Sequence, residues 1–310
     1  MSSDLAIVIP IYKKEFLAEA LESIKAQTDQ RFTAYIGDDA SPHKLDELVK
    51  ELELTKNFRY HRFGDNLGQQ SLVSQWQRCI NLTKGEKWIW LFSDDDIADT
   101  TCVEQFYKLK ENSPGYDVYR FNTNKISENG SLLKENLFPQ VVSSSDFLNI
   151  KLNYQQESYV VESIFSREAF ERVNGFPDLP LAWASDDMFW AKMASKTGIF
   201  TKDGARVSWR YSGSNISSRK ESNTGKLKLD ASRQFVAWIY TESGLLPELE
   251  PADLPIKWYI RQLRNLRRNL RFTDQLSAVA KVSRYSKKSW LYFAKLLMNE
   301  SRVLGWLKRF

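Results

Sequence analysis

The sequence predicts an α/β fold: a mixed, mainly parallel sheet flanked by helices, with a helical extension at the C-terminal end. Three observations lead there. Apolar runs of strand length alternate with amphipathic stretches through the first half of the chain. Two acidic clusters, Asp38-Asp39 and Asp94-Asp95-Asp96, follow directly on strand-like runs, where open sheets place their ligands. The region from Lys257 onward is basic and helical in pattern, whereas the rest of the chain is acidic.

The elements follow in order. Leu5–Ile11 is a continuous apolar run, which reads as a strand buried on both faces. Phe16, Leu17, Ala20, Leu21 and Ile24 then recur on one helix face. Phe32–Ile36 is a second strand, ending in Gly37-Asp38-Asp39, and Leu45, Leu48, Val49 and Leu52 mark the next helix. Phe58–Phe63 is a third strand, and Leu72, Val73, Trp76, Cys79 and Ile80 form a third helical face. Trp88–Phe92 is a fourth strand that runs into Ser93-Asp94-Asp95-Asp96, with a helix starting near Val103. Beyond a strand at Tyr116–Phe121, residues 122–138 are polar and turn-rich. Further on come a helix start at Ser143–Asp146, a strand at Tyr159–Phe165, the turn Asn174-Gly175-Phe176-Pro177 and a helix opened by Ser185-Asp186-Asp187. Val207–Tyr211 is the last strand expected, and residues 218–228 read as a polar, mobile segment. Leu263, Leu266, Leu270, Leu276, Val279 and Val282 then recur at helical spacing among arginines.

Bulk properties narrow the class. The chain has 310 residues, 42% of them hydrophobic and 13% aromatic, enough for a sizeable core. No basic segment precedes the first apolar run, and no stretch approaches the ~20 apolar residues that span a bilayer; a cytoplasmic protein is expected. Cys79 and Cys102 have no metal-type spacing and read as reduced thiols. With only His43 and His61, a histidine-rich zinc site or a Ser-His-Asp triad is disfavoured. From Lys257 to the end there are 14 Lys+Arg against 2 Asp+Glu, a net of +12; the remainder carries 30 basic and 37 acidic groups, a net of −7. That asymmetry points the tail at an anionic surface.

Three consecutive aspartates after a buried strand repel one another and favour a bound cation, and their oxygens suit magnesium or manganese. The competing reading is a solvated acidic turn, and position at the sheet edge weighs against it. Asp38-Asp39, followed by Ala40-Ser41-Pro42, reads either as a turn and helix cap or, at the end of the second strand, as a ligand site where an aspartate accepts a hydrogen bond from a uracil or guanine ring N–H. There is no GxGxxG after the first strand and no GxxxxGK[ST], so dinucleotide-binding and P-loop folds are disfavoured.

The motifs resemble those of family 2 glycosyltransferases of the GT-A type. Ile7-Val8-Ile9-Pro10-Ile11-Tyr12 resembles the family's opening strand, Gln27-Thr28 its QT pair, and Gly37-Asp38-Asp39-Ala40-Ser41 its VDDGS. Asn66-Leu67-Gly68 resembles NxG, and Gly85-Glu86-Lys87-Trp88-Ile89 with Phe92–Asp96 resembles GEYIxFLDxDD. Asn174-Gly175-Phe176 resembles the GGF turn, and Ser185-Asp186-Asp187 the ED motif. The resemblance covers residues 5–218 and implies a catalytic domain over 1–218 with a basic helical extension over 219–310.

It also implies roles. Pro10, Tyr12 and Asp39 would line the nucleobase pocket of a nucleotide-sugar donor, UDP-linked by expectation. Asp94 and Asp95 would lie near ribose and diphosphate, and Asp96, with Asp94, would hold Mn2+ or Mg2+. Asp187 or Asp186 would be the general base of an inverting single displacement. The acceptor expected is a saccharide or lipid-linked saccharide of a bacterial surface polysaccharide.

Departures from the pattern are plain. Lys13 replaces the family's Asn, Ser93 its first DxDD aspartate, and Gln75-Trp76-Gln77 its ARN, so a basic diphosphate contact is missing there. Arg210, beside the segment Ser214-Asn215-Ile216-Ser217, either supplies that charge or is a surface arginine. Trp183 either stacks on an acceptor sugar or packs in the core, and Trp76 reads mainly as packing. The tail over 257–310 suits an anionic membrane surface, with helix packing and nucleic-acid binding as rivals; no nucleic acid is expected. Two other functions compete: a nucleotidyltransferase, whose Gly-rich basic loop is missing at Pro10–Lys14, and a non-catalytic scaffold of a polysaccharide assembly system.

Overall fold

The protein was analysed as a computed structural model that describes residues 3–213, 215, 218 and 221–307, with side chains as far as Met298. Ser214, Ile216 and Ser217 of the segment noted above lie outside the described residues, as do the tail side chains Trp306 and Leu307.

The elements are β1 (Leu5–Ile11), α1 (Leu17–Lys25), β2 (Phe32–Asp38), α2 (Leu45–Glu51), β3 (Phe58–Arg62), α3 (Leu72–Ile80), β4 (Trp88–Leu91), β5 (Ile97–Ala98) and α4 (Cys102–Asn112). There follow β6 (Val118–Ile126), β7 (Leu132–Asn136), β8 (Val141–Val142), α5 (Ser144–Leu152), β9 (Ser163–Ser166), α6 (Arg167–Arg172), α7 (Ser185–Thr197) and β10 (Ile199–Arg210). Among the described residues four α-helices follow: α8 (Ser222–Thr241), α9 (Leu254–Leu266), α10 (Phe272–Ser283) and α11 (Lys288–Leu307). The chain forms two compact units: Met1–Phe147 with Gln156–Asp178 and Ser185–Gly213, and Leu148–Gln155 with Leu179–Ala184 and Ser214–Phe310.

The first unit holds the sheet, in the order β3-β2-β1-β4-β9-β6-β10-β5, with β7 on β6 and β8 on β10. β1, β2 and β3 are parallel, each joined to the next by a helix. After β3 the chain returns through α3 to pair β4 with the other side of β1, also in parallel. The strand order therefore reverses between β1 and β4, and their carboxyl ends open side by side at the crevice where such sheets bind ligands. β9 runs antiparallel to both β4 and β6, and β10 lies parallel to β6. Leu5 through Ile9 are wholly buried, which is why β1 is continuously apolar rather than alternating. Gly37 of β2 is a packing requirement: a Cβ there would collide with Sγ of Cys79, because α3 lies directly on this strand.

The sheet corrects several expectations. β6 continues through Asn122-Thr123-Asn124-Lys125 to Ile126 and turns at Gly130 into β7, where a loop was expected. Its polar residues are satisfied in place: Asn122 donates to Asp203 and accepts from the Phe138 N–H. The apolar run at Tyr159 opens with a 3-10 turn, Val160–Glu162, and only then becomes β9. β10 starts at Ile199, well before Val207, with an irregularity between Thr201 and Arg206. Cys79 and Cys102 are buried free thiols.

The second unit is helical. Phe235, Val236, Ile239, Trp258, Leu263 and Val279 are among its buried residues, with Trp258 edge-on to Phe235 at 5.5 Å. The segment expected to be mobile becomes α8 from Ser222. Among the described residues no helix is long and apolar enough to cross a membrane.

Candidate active site

The site begins at the end of β1. Tyr12 is fastened through both of its backbone polar groups. Its N–H donates to Asp94 Oδ2 at 3.0 Å, and its carbonyl accepts from the Ser41 hydroxyl at 2.6 Å. The Lys13 N–H donates to the same Asp94 oxygen at 3.1 Å. One carboxylate at the end of β4 thus closes the gap at the strand-order reversal. Tyr12 is 39% exposed, and Pro10, two residues before it in β1, is half-buried.

Asp38 and Asp39 separate in role. Asp38 is fully buried and takes hydrogen bonds from the Ser41 N–H, the Tyr60 hydroxyl and Arg62, so it locks β2 to β3 and to the turn. Asp39 Oδ1 accepts from the Leu67 N–H at 2.8 Å and from Arg78, and its Oδ2 accepts from the Gly68 N–H at 2.9 Å. A carboxylate has about four acceptor positions, so these three leave one position on Oδ2. Gly68 is required by this close approach, since a Cβ would strike Asp39 Oδ2.

Arg78 was missed by sequence reasoning. It lies two positions beyond Trp76, and it pairs with Asp39 and with Asp65 at 2.9 Å while its guanidinium rests 4.0 Å from the Phe63 ring centroid. The signal was available: an arginine one helical turn from Gln75, on the α3 face carrying Cys79. Trp76 itself packs edge-on against Phe176 of the Asn174–Phe176 turn, ring centroids 5.4 Å apart.

The aspartate run carries the electrostatics. Burial first, and the Asp95 charge second, push the Asp94 carboxyl up to about 6. The same two causes raise Asp96 well above the usual carboxylate range. Asp95 accepts from the Ser93 hydroxyl at 2.6 Å and faces Lys13 Nζ at 3.8 Å. Asp96 accepts from the Arg210 N–H at 2.8 Å. Arg210 is almost wholly buried. Its guanidinium donates to the Asp95 carbonyl, the Glu128 carbonyl and Glu19, over the Phe16 ring. The surface-arginine reading is therefore corrected: Arg210 braces the aspartate run from beneath.

Among the described residues no group of three or more His, Cys, Asp or Glu side chains is arranged to hold a metal ion. The donor chemistry still fits a hard divalent cation of the magnesium type, which takes one or two carboxylates and completes its shell with phosphate oxygens and water. Crowded carboxylates with raised pKa values, here the half-buried Asp94 and the buried Asp96, are the groups such a cation relieves.

Asp186 and Asp187 lie in the first turn of α7, where the helix dipole favours negative charge; Asp187 is buried and Asp186 half-buried. α7 is seated by aromatic packing, Phe189 against Phe176 at 3.9 Å and against Phe165 at 5.3 Å. Trp183 belongs to the second unit, with Lys228 Nζ 4.6 Å from its ring centroid. It sits in a turn where Leu181, Ala182 and Ala184 all have positive φ, a conformation non-glycine residues adopt at a cost.

The fold, a mainly parallel sheet whose strand order reverses between β1 and β4 with acidic residues at the ends of β2 and β4, is of the GT-A type. The chain belongs to glycosyl transferase family 2, whose model matches residues 6–173, more than half of the protein. It is 30% identical over 135 residues to an uncharacterized glycosyltransferase of Methanocaldococcus jannaschii, a match covering 42% of this chain and 45% of that protein. An uncharacterized glycosyltransferase of Rickettsia felis is 23% identical over 225 residues, covering 67% of this chain and 33% of that one. The chain thus spans less than half the length of these relatives. In fold it is similar to S. aureus TarS 1-349 in complex with UDP-GlcNAc, with a TM-score of 0.68, 16% identity and coverage of 91% of this chain and 80% of that one. It is also similar to the mannosyltransferase PcManGT from Pyrobaculum calidifontis in complex with GDP-Man and Mn2+, with a TM-score of 0.53, 14% identity and coverage of 97% and 87%.

Proposed function

We propose that this protein transfers a sugar, with inversion, from a nucleotide diphosphate donor to a saccharide or lipid-linked saccharide acceptor in the cytoplasm, and that the first unit is the catalytic domain. The observation that carries the reading is the junction of β1 and β4. There Asp94 pins the Tyr12–Lys13 backbone, Asp96 lies two residues on, and Arg210 anchors the run.

In this reading Tyr12 offers its exposed ring as a face for the nucleobase beside Pro10, and the remaining acceptor position of Asp39 Oδ2 takes a base N–H. A UDP-linked donor suits that single acceptor, since uracil presents one ring N–H. Asp95 and Lys13 flank the ribose and diphosphate. Asp96, with Asp94, would hold a divalent ion such as Mn2+ or Mg2+, which when bound neutralises the leaving diphosphate. Arg210 serves the donor indirectly, by fixing the Asp95 carbonyl and the Asp96 carboxylate. Asp186 or Asp187 takes the proton from the acceptor hydroxyl as it attacks the anomeric carbon, and the carbon–oxygen bond to the diphosphate breaks on the opposite face. PcManGT, bound to GDP-Man and Mn2+, and TarS, bound to UDP-GlcNAc, share the fold and support a nucleotide-sugar reading.

The test is a thermal-shift titration with UDP, GDP, CDP and TDP, each with and without manganese. A ligand bound only by the native state raises the melting temperature, by about 2.7 kcal/mol of stability at a hundredfold excess over Kd. A shift with one nucleotide that requires manganese, lost in Asp96→Asn, supports the proposal. If no nucleotide shifts the protein at millimolar concentration, the non-catalytic scaffold reading prevails.

A further inference from the structure

We propose that the outward face of α11, together with Phe272 at the start of α10, docks onto a lipid bilayer bearing anionic headgroups. The sequence shows only that the tail mixes arginines, lysines and aromatic residues; the structure sorts them. Trp258, Tyr259, Leu263, Leu266 and Phe293 are buried in the second unit's own core. Phe272, Trp290, Leu291 and Met298 are not, with exposures of 54%, 41%, 52% and 54%.

An ordinary surface helix turns charge to solvent and apolar groups inward; α11 carries apolar groups on both its inner and its outer side. Its inner side is made by Ser289, Phe293 and Leu296. Its outer side, up to Met298, carries Lys288, Trp290, Leu291, Ala294, Lys295 and Met298; Lys288 Nζ is paired with Asp253 at 3.1 Å. Phe272, at the start of α10, is exposed and stacks on Phe293 of α11 with ring centroids 6.3 Å apart. Single exposed apolar residues need no explanation; a run of them along one stripe does.

Charge identifies the occupant. The region 257–310 carries a net charge of +12; Arg268, Lys281, Arg284 and Lys287 are exposed, and the exposed Arg271 is paired with Asp274. Lysine and arginine stems lie along apolar surface and lift their charged ends to a headgroup layer. A tryptophan, leucine and methionine stripe bordered by such residues fits the boundary between headgroups and acyl chains. A nucleic acid would use the cations and leave Leu291 and Met298 in water. The inference rests on this surface alone and does not depend on which nucleotide the first unit binds.

The experiment is co-sedimentation of the full chain with sucrose-loaded vesicles of phosphatidylcholine containing about 30% phosphatidylglycerol, against phosphatidylcholine alone; at about 1 kcal/mol for each basic residue near the surface, each contributes about fivefold in partitioning. The expected result is binding to the anionic vesicles only, weakened by salt. Lys287→Gln with Lys295→Gln should lower the partition coefficient about 25-fold, as two such contributions multiplied. Trp290→Ser with Leu291→Ser should lower it at least tenfold, with circular dichroism, melting temperature and nucleotide-induced shift unchanged. Equal binding by that apolar double variant overturns the proposal. So does absence of binding to anionic vesicles. Concentration-dependent dimerisation abolished by Trp290→Ser, or retention of double-stranded DNA without vesicle binding, would also overturn it by assigning the face to another partner.

Discussion

Removing Arg78 tests whether the Asp39 pocket is built as described. Arg78→Met keeps the stem that lies over Phe63 and deletes the charge, leaving Asp39 with only the Leu67 and Gly68 N–H donors. The side chain of Asp39 is 6% exposed and that of Arg78 18%. Stripping the partner from a buried pair costs about 3–5 kcal/mol when nothing replaces it. The two remaining amide donors and partial solvent access reduce this to about 2–3 kcal/mol. At an m-value of about 2–3 kcal/mol/M, the urea midpoint should fall by roughly 1 M. The assay is urea unfolding followed by tryptophan fluorescence, run as a double-mutant cycle with Asp39→Asn. Since the amide no longer buries a charge, the double variant should recover part of the loss, with a coupling of about 1–2 kcal/mol. A loss under about 0.5 kcal/mol for Arg78→Met, or strict additivity in the cycle, would show that the Asp39–Arg78 pair is not the support described.

Other outcomes can be checked alongside. Asp186→Asn and Asp187→Asn should each leave the nucleotide-induced thermal shift intact, while the one that removes the base lowers sugar transfer by about 10²–10⁴-fold; donor hydrolysis and transfer assays report this. Gly37→Ala should destabilise the protein by about 1–3 kcal/mol through overpacking against Cys79, and Cys79→Ala in the same chain should recover most of it. Burial alone would raise the Asp253 carboxyl, but hydrogen bonds from Tyr292, Lys288 and Lys257 overcome this and hold it at about 2. A lowered carboxyl stabilises the folded state above its unfolded value near pH 4. That contribution, about 1–2 kcal/mol after allowance for solvent around the lysines, is lost as pH falls towards 2. Asp253→Asn should flatten unfolding free energy against pH across that window, as measured by urea titrations from pH 5 to pH 2. Asp94→Ala should raise the half-saturating nucleotide concentration, because the Tyr12 and Lys13 amides lose their common acceptor.

The sequence by itself determined the first four strands, the helices between them and the acidic ends of β2 and β4. These depend on local period and on continuous apolar burial, which are written along the chain. It could not show β6 running through Asn122–Lys125, because those polar residues become strand only when β7 and β10 supply their partners. Nor could it show that two adjacent aspartates divide their work, Asp38 locking β2 to β3 and Asp39 holding Gly68 and Arg78, since these partners lie 20 to 40 positions away. Arg210 was visible as a charge, yet its place under the aspartate run depends on β10 pairing beside β6. In the tail, composition revealed an amphipathic basic character, and only packing separated the aromatics that make a core from those left facing outward. Local pattern is encoded residue by residue, whereas which charges meet, and which apolar faces are covered, follows from contacts that exist only once distant segments have come together.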